Sequence, residues 1–559
     1  MASMNIIMKG KYMAHLQILF SLLSLIGIAS IIKKLCGLNH SLAVFYATIF
    51  ITFALYFAAI LNLLEPSVHI VRNIGLLGLL ISAKNIIKTK INYSDLYIII
   101  SIAVFYVFCQ TEPYSIFPFI DDYNHWGRMS RYIAENNRLI NSTDMISVKD
   151  YPPIASLFHY FFTYFSGYKD SKAIFANGVL TIIFSSPLFI ALSSDAILKK
   201  NNDFILISLS VISLYWVFGL GLHSLWADLL LGVGFGIALH IYFDLQWKNR
   251  SAALIAALPV LLFMVQVKQI GILFAFFALL IMLVDYIRKE KSGVFIKTVL
   301  IGAAAILLIL FDTTWKNYLI VNEVDKTFSL KLSLDTIISA FNPATMNQGQ
   351  YVTIQKFIDH LFFSHHLSTY WFLISLIMLA AIVKFRNIKI SDTDVFIYLS
   401  VYIMFFAYMF ILLLLYLFAF GDHKGTKLGS IERYTITYIL GVLIFLGGII
   451  INISETQSNR SKKIWLVLIA LAIVLPNTGR LLMDLTRVVN NSPPAHTAGI
   501  IHRMSKSVIE KTPENSKIYI IWSEGSNDES VIFNYYLMPR KNNADCIFIK
   551  PPFSEKETI

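Results

Sequence analysis

The chain has 559 residues, 57% of them hydrophobic and only 14% charged. No soluble globular class has that balance, and repeated apolar runs of ~20 residues mean a polytopic helical membrane protein. The net charge of +12 does not imply nucleic acid, because the basic residues sit in short loops between apolar runs, as the positive-inside rule places them.

Fourteen candidate spans follow in chain order: roughly 13–32, 42–62, 68–83, 95–110, 173–194, 204–221, 227–246, 252–267, 270–286, 294–311, 369–384, 395–420, 434–453 and 463–480. The first has the length of a signal peptide. No small-residue cleavage site follows it and Lys33-Lys34 stands on the wrong flank, so it reads as an uncleaved span. The third is short and carries Arg72. Cys36, Cys109 and Cys546 are far apart and lack metal-ligand spacing, so neither a disulfide framework nor a zinc site is expected.

Lysine and arginine set the expected orientation. Lys33 and Lys34, Lys84 to Lys90, Lys199 and Lys200, Lys248 and Arg250, Arg288 to Lys291, Lys384 to Lys389, and Arg460 to Lys463 fall in alternate loops. Those loops are assigned to the cytoplasm. The opposite face then receives 111–172, 312–368, 421–433, the tail 481–559 and both termini.

Loop 111–172 opens with Asp121-Asp122-Tyr123-Asn124-His125-Trp126-Gly127. Trp126, Met129, Ile133 and Leu139 alternate with Arg128, Arg131, Glu135 and Arg138 in an amphipathic pattern suited to a membrane surface. Tyr151-Pro152-Pro153 starts a second segment to Phe165, which reads as an interfacial helix because counting it as a span would invert every later loop. In the tail, Lys517 to Trp522 and Cys546 to Ile549 read as strands and Ser530 to Leu537 as helix or strand, which together predict a small α/β appendage.

Adjacent carboxylates beside hydrocarbon are costly. Asp121 and Asp122 are therefore either helix caps or a general base or metal ligand at the membrane surface. Asp228, in His223-Ser224-Leu225-Trp226-Ala227-Asp228, is a cap or a second working carboxylate. His223 fits a polar interfacial histidine better than a ligand. Lys268, in Val265-Gln266-Val267-Lys268-Gln269-Ile270-Gly271, either snorkels or meets an anionic headgroup. Arg433, in Glu432-Arg433-Tyr434, is an interfacial anchor or a phosphate fork.

The order of these pieces resembles the GT-C fold of polyprenyl-phosphate-sugar-dependent glycosyltransferases, whose branches include protein O-mannosyltransferases and lipid A aminoarabinose transferases. The resemblance rests on DDYNHWGRMSRYI, YPPIASLFHYFF and SIERYTITYIL and covers roughly residues 95–480. It implies that the all-α polytopic bundle of about 14 helices is GT-C-like, with its catalytic core at 95–480; the extra helices at 1–94 and the small extracytoplasmic α/β domain expected at 481–559 depart from the family and are read from the residues. It implies Asp121 or Asp122 as the base, Asp228 as a second outer carboxylate, and Arg433 with Lys268 on the donor phosphate. His125, Trp126 and Tyr151 would line the acceptor side. The expected partners are a polyprenyl-phosphate-sugar, membrane lipid and a saccharide, lipid or protein acceptor. No cofactor is assigned, and a divalent metal is left open. The expected place is the inner membrane, with the active site facing the periplasm or exterior. The competing readings are an O-antigen polymerase or ligase and a transporter or flippase of lipid-linked saccharides. The early acidic pair favours the transferase. Noteworthy charges at outer helix ends, rather than at the midplane, disfavour the transporter.

Overall fold

The structure, a computed structural model, describes residues 2–88, 92–144, 146–193, 208, 210–211, 221–245, 247–289, 294–327, 333–363, 366–386, 393–420, 425–456, 460–492, 497–513, 515–519, 521–522, 527–538, 540 and 547–548. The protein is helical. The elements are α1 (Ala2–Cys36), α2 (His40–Ile60), α3 (Leu64–Lys88), α4 (Tyr93–Phe108), α5 (Gly127–Asn136), α6 (Ile154–Ser166), α7 (Asp170–Ser185), α8 (Ala227–Phe243), α9 (Arg250–Val265) and α10 (Gly271–Lys289). They continue with α11 (Val294–Val321), α12 (Leu334–Phe341), α13 (Gln348–Phe362), α14 (Leu367–Arg386), α15 (Thr393–Phe418), α16 (Ile431–Thr456), α17 (Arg460–Val474), α18 (Thr478–Val489), α19 (Thr497–Lys511) and α20 (Asn527–Leu537).

Among the described residues, nine helices are long and apolar enough to cross a bilayer, and the chain is a multi-pass membrane protein. A tenth span results if Val467–Asn477 and Leu482–Val489 count as one, bent by 57° at the break between them. Three further expected spans are the shorter apolar helices α4, α8 and α9. Span 204–221 lies largely outside the described residues. Local sequence explains several helix starts: Asn39, Asn92 and Asn249 each accept from a backbone N–H in the first turn, satisfying donors that the helix leaves open. Inside the apolar helices, Thr48, Thr52, Thr181 and Ser185 turn their hydroxyls back onto carbonyls three or four residues earlier, so these hydroxyls are satisfied within their own helices.

Helix α8 is central. Every residue from Ala227 to Tyr242 is buried, and a helix apolar on all sides belongs inside a bundle. It packs most extensively on α16 and α9. Glycines permit the α8–α16 approach: a Cβ on Gly236 would lie 2.5 Å from the Gly441 carbonyl oxygen, and one on Gly232 would lie 2.6 Å from that of Thr437. Small residues allow membrane helices to touch backbone to backbone. This approach fixes the first turns of α8 and α16 side by side.

The loop after α4 differs from its expectation. Asp122–Trp126 forms a π-helical turn leading into α5, a distortion that often marks functional sites. The buried face of α5 carries Met129 and Ile133 as expected. Its arginines are not open to solvent, because they bond the tail. Arg131 donates to the carbonyls of Tyr535 and Met538 (2.6 and 2.7 Å) and Arg128 to that of Val531 (3.1 Å). The segment expected to be interfacial, now α6, is covered by α1, α2, α5 and α7, with eleven of its thirteen residues buried. Its aromatic surface is satisfied by protein.

The α/β appendage is not supported. Strand pairing in the described tail is one parallel pair of two-residue segments, Ile521–Trp522 against Ile547–Phe548, while α18, α19 and α20 make up most of it. The apolar runs near 517 and 546 carry β-formers, but helix α20 packs on α19 and on the π turn instead.

Candidate functional site

Four charged side chains from four segments meet at one end of the bundle. Asp121 opens the π turn, Asp228 sits in the first turn of α8, Lys268 lies between α9 and α10, and Arg433 lies in the first turn of α16. Arg433 Nη1 donates to Asp121 Oδ2 at 2.7 Å. Its Nε lies 3.6 Å from Asp228 Oδ2, and Lys268 Nζ donates to Asp228 Oδ1 at 2.7 Å. Arg433 thus bridges two carboxylates, and Asp228 is held by two cations. The Arg433 guanidinium also lies 4.2 Å from the Trp226 ring centroid, and the Lys268 ammonium 4.8 Å from that of Tyr434, both within cation–π range.

Asp121 and Asp122 do different work. Asp122 is fully buried and accepts from the Leu225 N–H (3.1 Å) and the Ser224 hydroxyl (3.5 Å). It ties the π turn to the segment that leads into α8. Burial first, and the Asp121 charge second, push the Asp122 carboxyl well above the ordinary range. Burial also pushes Asp121 upward, but Arg433, His125 and Lys268, with the Arg433 hydrogen bond, outweigh it and hold that carboxyl below the ordinary range.

His125 is buried, and burial drives its imidazole down to about 4 against the opposing pull of Asp121. It lies against Trp126 and Tyr151, whose own rings stack at 4.5 Å between centroids and 8° between planes. The three expected loop residues therefore form one aromatic wall. Burial and neighbouring hydroxyls and carboxylates raise the Tyr151 phenol well above its ordinary value. His223 stands apart from the cluster, stacked on Tyr114 and within 3.2 Å of the Ile116 carbonyl.

Two buried polar atoms here have no hydrogen-bond partner, His125 Nδ1 and Trp226 Nε1, while Arg433 Nε and Asp228 Oδ2 face each other only across the 3.6 Å ion pair. Such atoms are rare in folded proteins and concentrate where a ligand is expected. The first turns of α8 and α16 bring their positive dipole ends to the same place, which favours an anion. Charged groups at the other end of the bundle pair among themselves instead: Arg250 with Asp285, and Asp244 with His240 and Arg386.

Supporting residues escape the sequence reading. Asp150, immediately before Tyr151, accepts from Gln269 Nε2 (2.6 Å) and the Thr327 N–H (3.1 Å). Its carbonyl takes the Trp315 indole N–H at 3.0 Å. It thereby fixes the turn that carries Lys268. Asp170, at the start of α7, accepts from the hydroxyls of Tyr535 (2.6 Å) and Tyr536 (3.1 Å), and Tyr536 in turn lies 3.0 Å from the Tyr123 hydroxyl. Trp226 was visible beside Asp228, but nothing in the pattern marked it as the platform for Arg433. A large apolar cavity of about 660 Å³ lies elsewhere, between α1, α2, α4 and α7, and does not touch the charged cluster.

A scan of protein-family models finds none that matches this chain. A search of curated proteins also finds no relative.

Proposed function

We propose that this protein is an integral membrane glycosyltransferase of the GT-C type. It moves a sugar from a polyprenyl-phosphate donor to a cell-envelope acceptor on the outer face of the inner membrane. The observation that carries this reading is the cluster of Asp121, Asp228, Lys268 and Arg433 at the ends of apolar helices, with buried polar atoms still unpartnered beside it.

The chemistry asks for little more. The donor phosphate binds Arg433 and Lys268 while its lipid chain stays in the bilayer. An acceptor hydroxyl gives its proton to Asp121 as its oxygen bonds to the anomeric carbon. The bond from that carbon to the phosphate oxygen breaks, and the phosphate leaves with the electron pair. Arg433 and Lys268 neutralise the charge that develops there. A salt-bridged Asp121 is a weak base. A phosphate that draws Arg433 away removes its main positive neighbour and raises its proton affinity, so donor binding would switch the base on. Asp228 holds both cations in place, and Asp122 holds the segment beneath them.

The test is transfer or hydrolysis of the sugar from a panel of synthetic polyprenyl-phosphate sugars by the purified full-length protein in lipid nanodiscs. Release of polyprenyl phosphate that depends on Arg433 and Asp121 supports the reading. Movement of a lipid-linked saccharide across the bilayer without bond cleavage would replace it with the flippase.

A further inference from the structure

We infer that His360, His366 and Glu432 bind one divalent transition-metal ion of the zinc type. The three residues come from the end of α13, the segment before α14 and the first turn of α16. Their ligating atoms all lie within 4.8 Å of one another. His360 Nε2 is 3.7 Å from Glu432 Oε2, and the two imidazole rings have centroids 4.4 Å apart.

The simpler account is that Glu432 caps α14. It does accept from the Ser368 N–H (2.6 Å) and the Ser368 hydroxyl (2.9 Å), and the start of a helix favours a carboxylate. Capping does not explain two histidines converging on it. His360 Nε2 also faces the Thr435 hydroxyl at 3.5 Å, but that contact and the 3.7 Å to Glu432 are both longer than the about 2.9 Å of an ordinary hydrogen bond. A cation explains the spacing. Zinc takes imidazole nitrogen and carboxylate oxygen at about 2.0–2.2 Å, so neighbouring ligand atoms sit roughly 3.4 Å apart. His360 and Glu432 are near that separation already. His366 is exposed, and its ligating nitrogen already lies within 4.8 Å of the other two ligand atoms.

The set also has the right chemistry. Two imidazoles and a carboxylate suit zinc better than calcium or magnesium, which prefer all-oxygen shells. Ser368 orients the carboxylate as an outer partner, as metal-ligating carboxylates require. Three protein ligands leave a fourth position, and a cavity of about 100 Å³ adjoins His360, Ser368 and Thr435. An ion here would tie α13 and α14 to the turn of α16 that carries Arg433. The inference does not depend on the proposed transfer reaction.

The experiment loads chelator-stripped full-length protein in detergent with zinc, and separately with cobalt(II). Bound metal is counted by mass spectrometry, and the visible absorption of the cobalt form is recorded. One ion per chain and four-coordinate cobalt bands are expected. His360→Gln and the exposed-site variant His366→Ala should each weaken binding about 10-fold or more. Absence of bound metal in the wild type, or undiminished binding in both variants, overturns the assignment. Because metal is counted directly, the result stands apart from any sugar-transfer assay.

Discussion

Arg433 donates a hydrogen bond of 2.7 Å to Asp121, a residue 312 positions earlier in the chain. The same guanidinium reaches Asp228, so one cation couples the loop after α4 to the central helix α8. Two carboxylates this close would repel without it. Arg433 is therefore a structural keystone, and under the proposed function its fork would take the donor phosphate.

Donor binding tests that double role. Arg433→Ala should weaken binding of a polyprenyl phosphate by roughly 1.5–3 kcal/mol, the worth of a charge-assisted hydrogen bond. Arg433→Lys should recover only part, since lysine lacks the planar fork. Titration of polyprenyl phosphate into nanodisc-held protein, followed by tryptophan fluorescence, reads the affinity. Equal affinities for all three proteins would remove Arg433 from the phosphate site.

Helix proximity is the second point. A side chain at Gly236 meets the Gly441 carbonyl 2.5 Å away and the Ile444 side chain, and backbone cannot yield cheaply. Gly236→Val should destabilise the protein by about 1–3 kcal/mol and lower its melting temperature in detergent. It should also cut activity through the displaced first turns of α8 and α16. Gly302, with open space around its Cβ position, is the control, and Gly302→Ala should melt like wild type. An unaltered melting temperature in Gly236→Val would show that the helices do not meet there.

The charged cluster was legible in the sequence because a charged residue at the end of an apolar helix has few reasons to be there. Asp121, Asp228, Lys268 and Arg433 all stand out on that ground. Their pairing was not legible: nothing in the order of the motifs says that Arg433 meets Asp121 and Lys268 meets Asp228. Adjacent side chains at a helix start point in different directions, but which of Asp121 and Asp122 faces Asp228 was hidden until the π turn set their neighbours. The extent of the sheet in the tail was overread for a physical reason. The β-forming runs near 517 and 546 pair only over Ile521–Trp522 and Ile547–Phe548 among the described residues, whereas Asp170, Arg128 and Arg131 give α20 a docking surface that only the folded chain reveals.

Acid stability follows from His125. Its ordinary value of 6.5 falls to about 4 in the folded protein. The unfolded chain therefore takes up the proton first as pH drops. Stability is full above 6.5 and is lost as pH falls towards 4. The share is on the order of 3 kcal/mol across that window. His159 is pushed down to about 4 as well, so His125→Gln should flatten the acid loss without abolishing it. Thermal melts at a series of pH values measure the slope, and an unchanged slope in the variant would show that His125 is solvated or protonated in the fold.

Orientation rests on the lysine and arginine loops. With Cys36, Cys109 and Cys546 replaced by serine, a cysteine at Ser142 or Thr345 should react with an impermeant maleimide in intact spheroplasts. A cysteine at Lys248 should react only after permeabilisation. The reverse pattern would invert the topology and put the charged cluster on the cytoplasmic side.

The final prediction separates the two adjacent carboxylates. Asp121 faces Arg433, beside Asp228, whereas Asp122 accepts from Leu225 and Ser224 in a fully buried position. Asp121→Asn keeps the size and part of the hydrogen bonding but cannot take a proton from an acceptor hydroxyl. It should abolish most sugar transfer, by the roughly 10²–10⁴-fold that general base catalysis contributes, while the protein still inserts and binds polyprenyl phosphate. Asp122→Asn should act through structure instead. Its amide oxygen can still accept from Leu225, so transfer should fall far less. The readout that divides the roles is the melting temperature beside the rate: loss of rate with an unshifted melt at Asp121, and a shifted melt with modest rate loss at Asp122. If Asp121→Asn transfers sugar at the wild-type rate, Asp121 is not the base and Arg433 pairs with it for structure alone. The cluster would then hold a phosphate without breaking its bond, as a transporter of lipid-linked saccharides would.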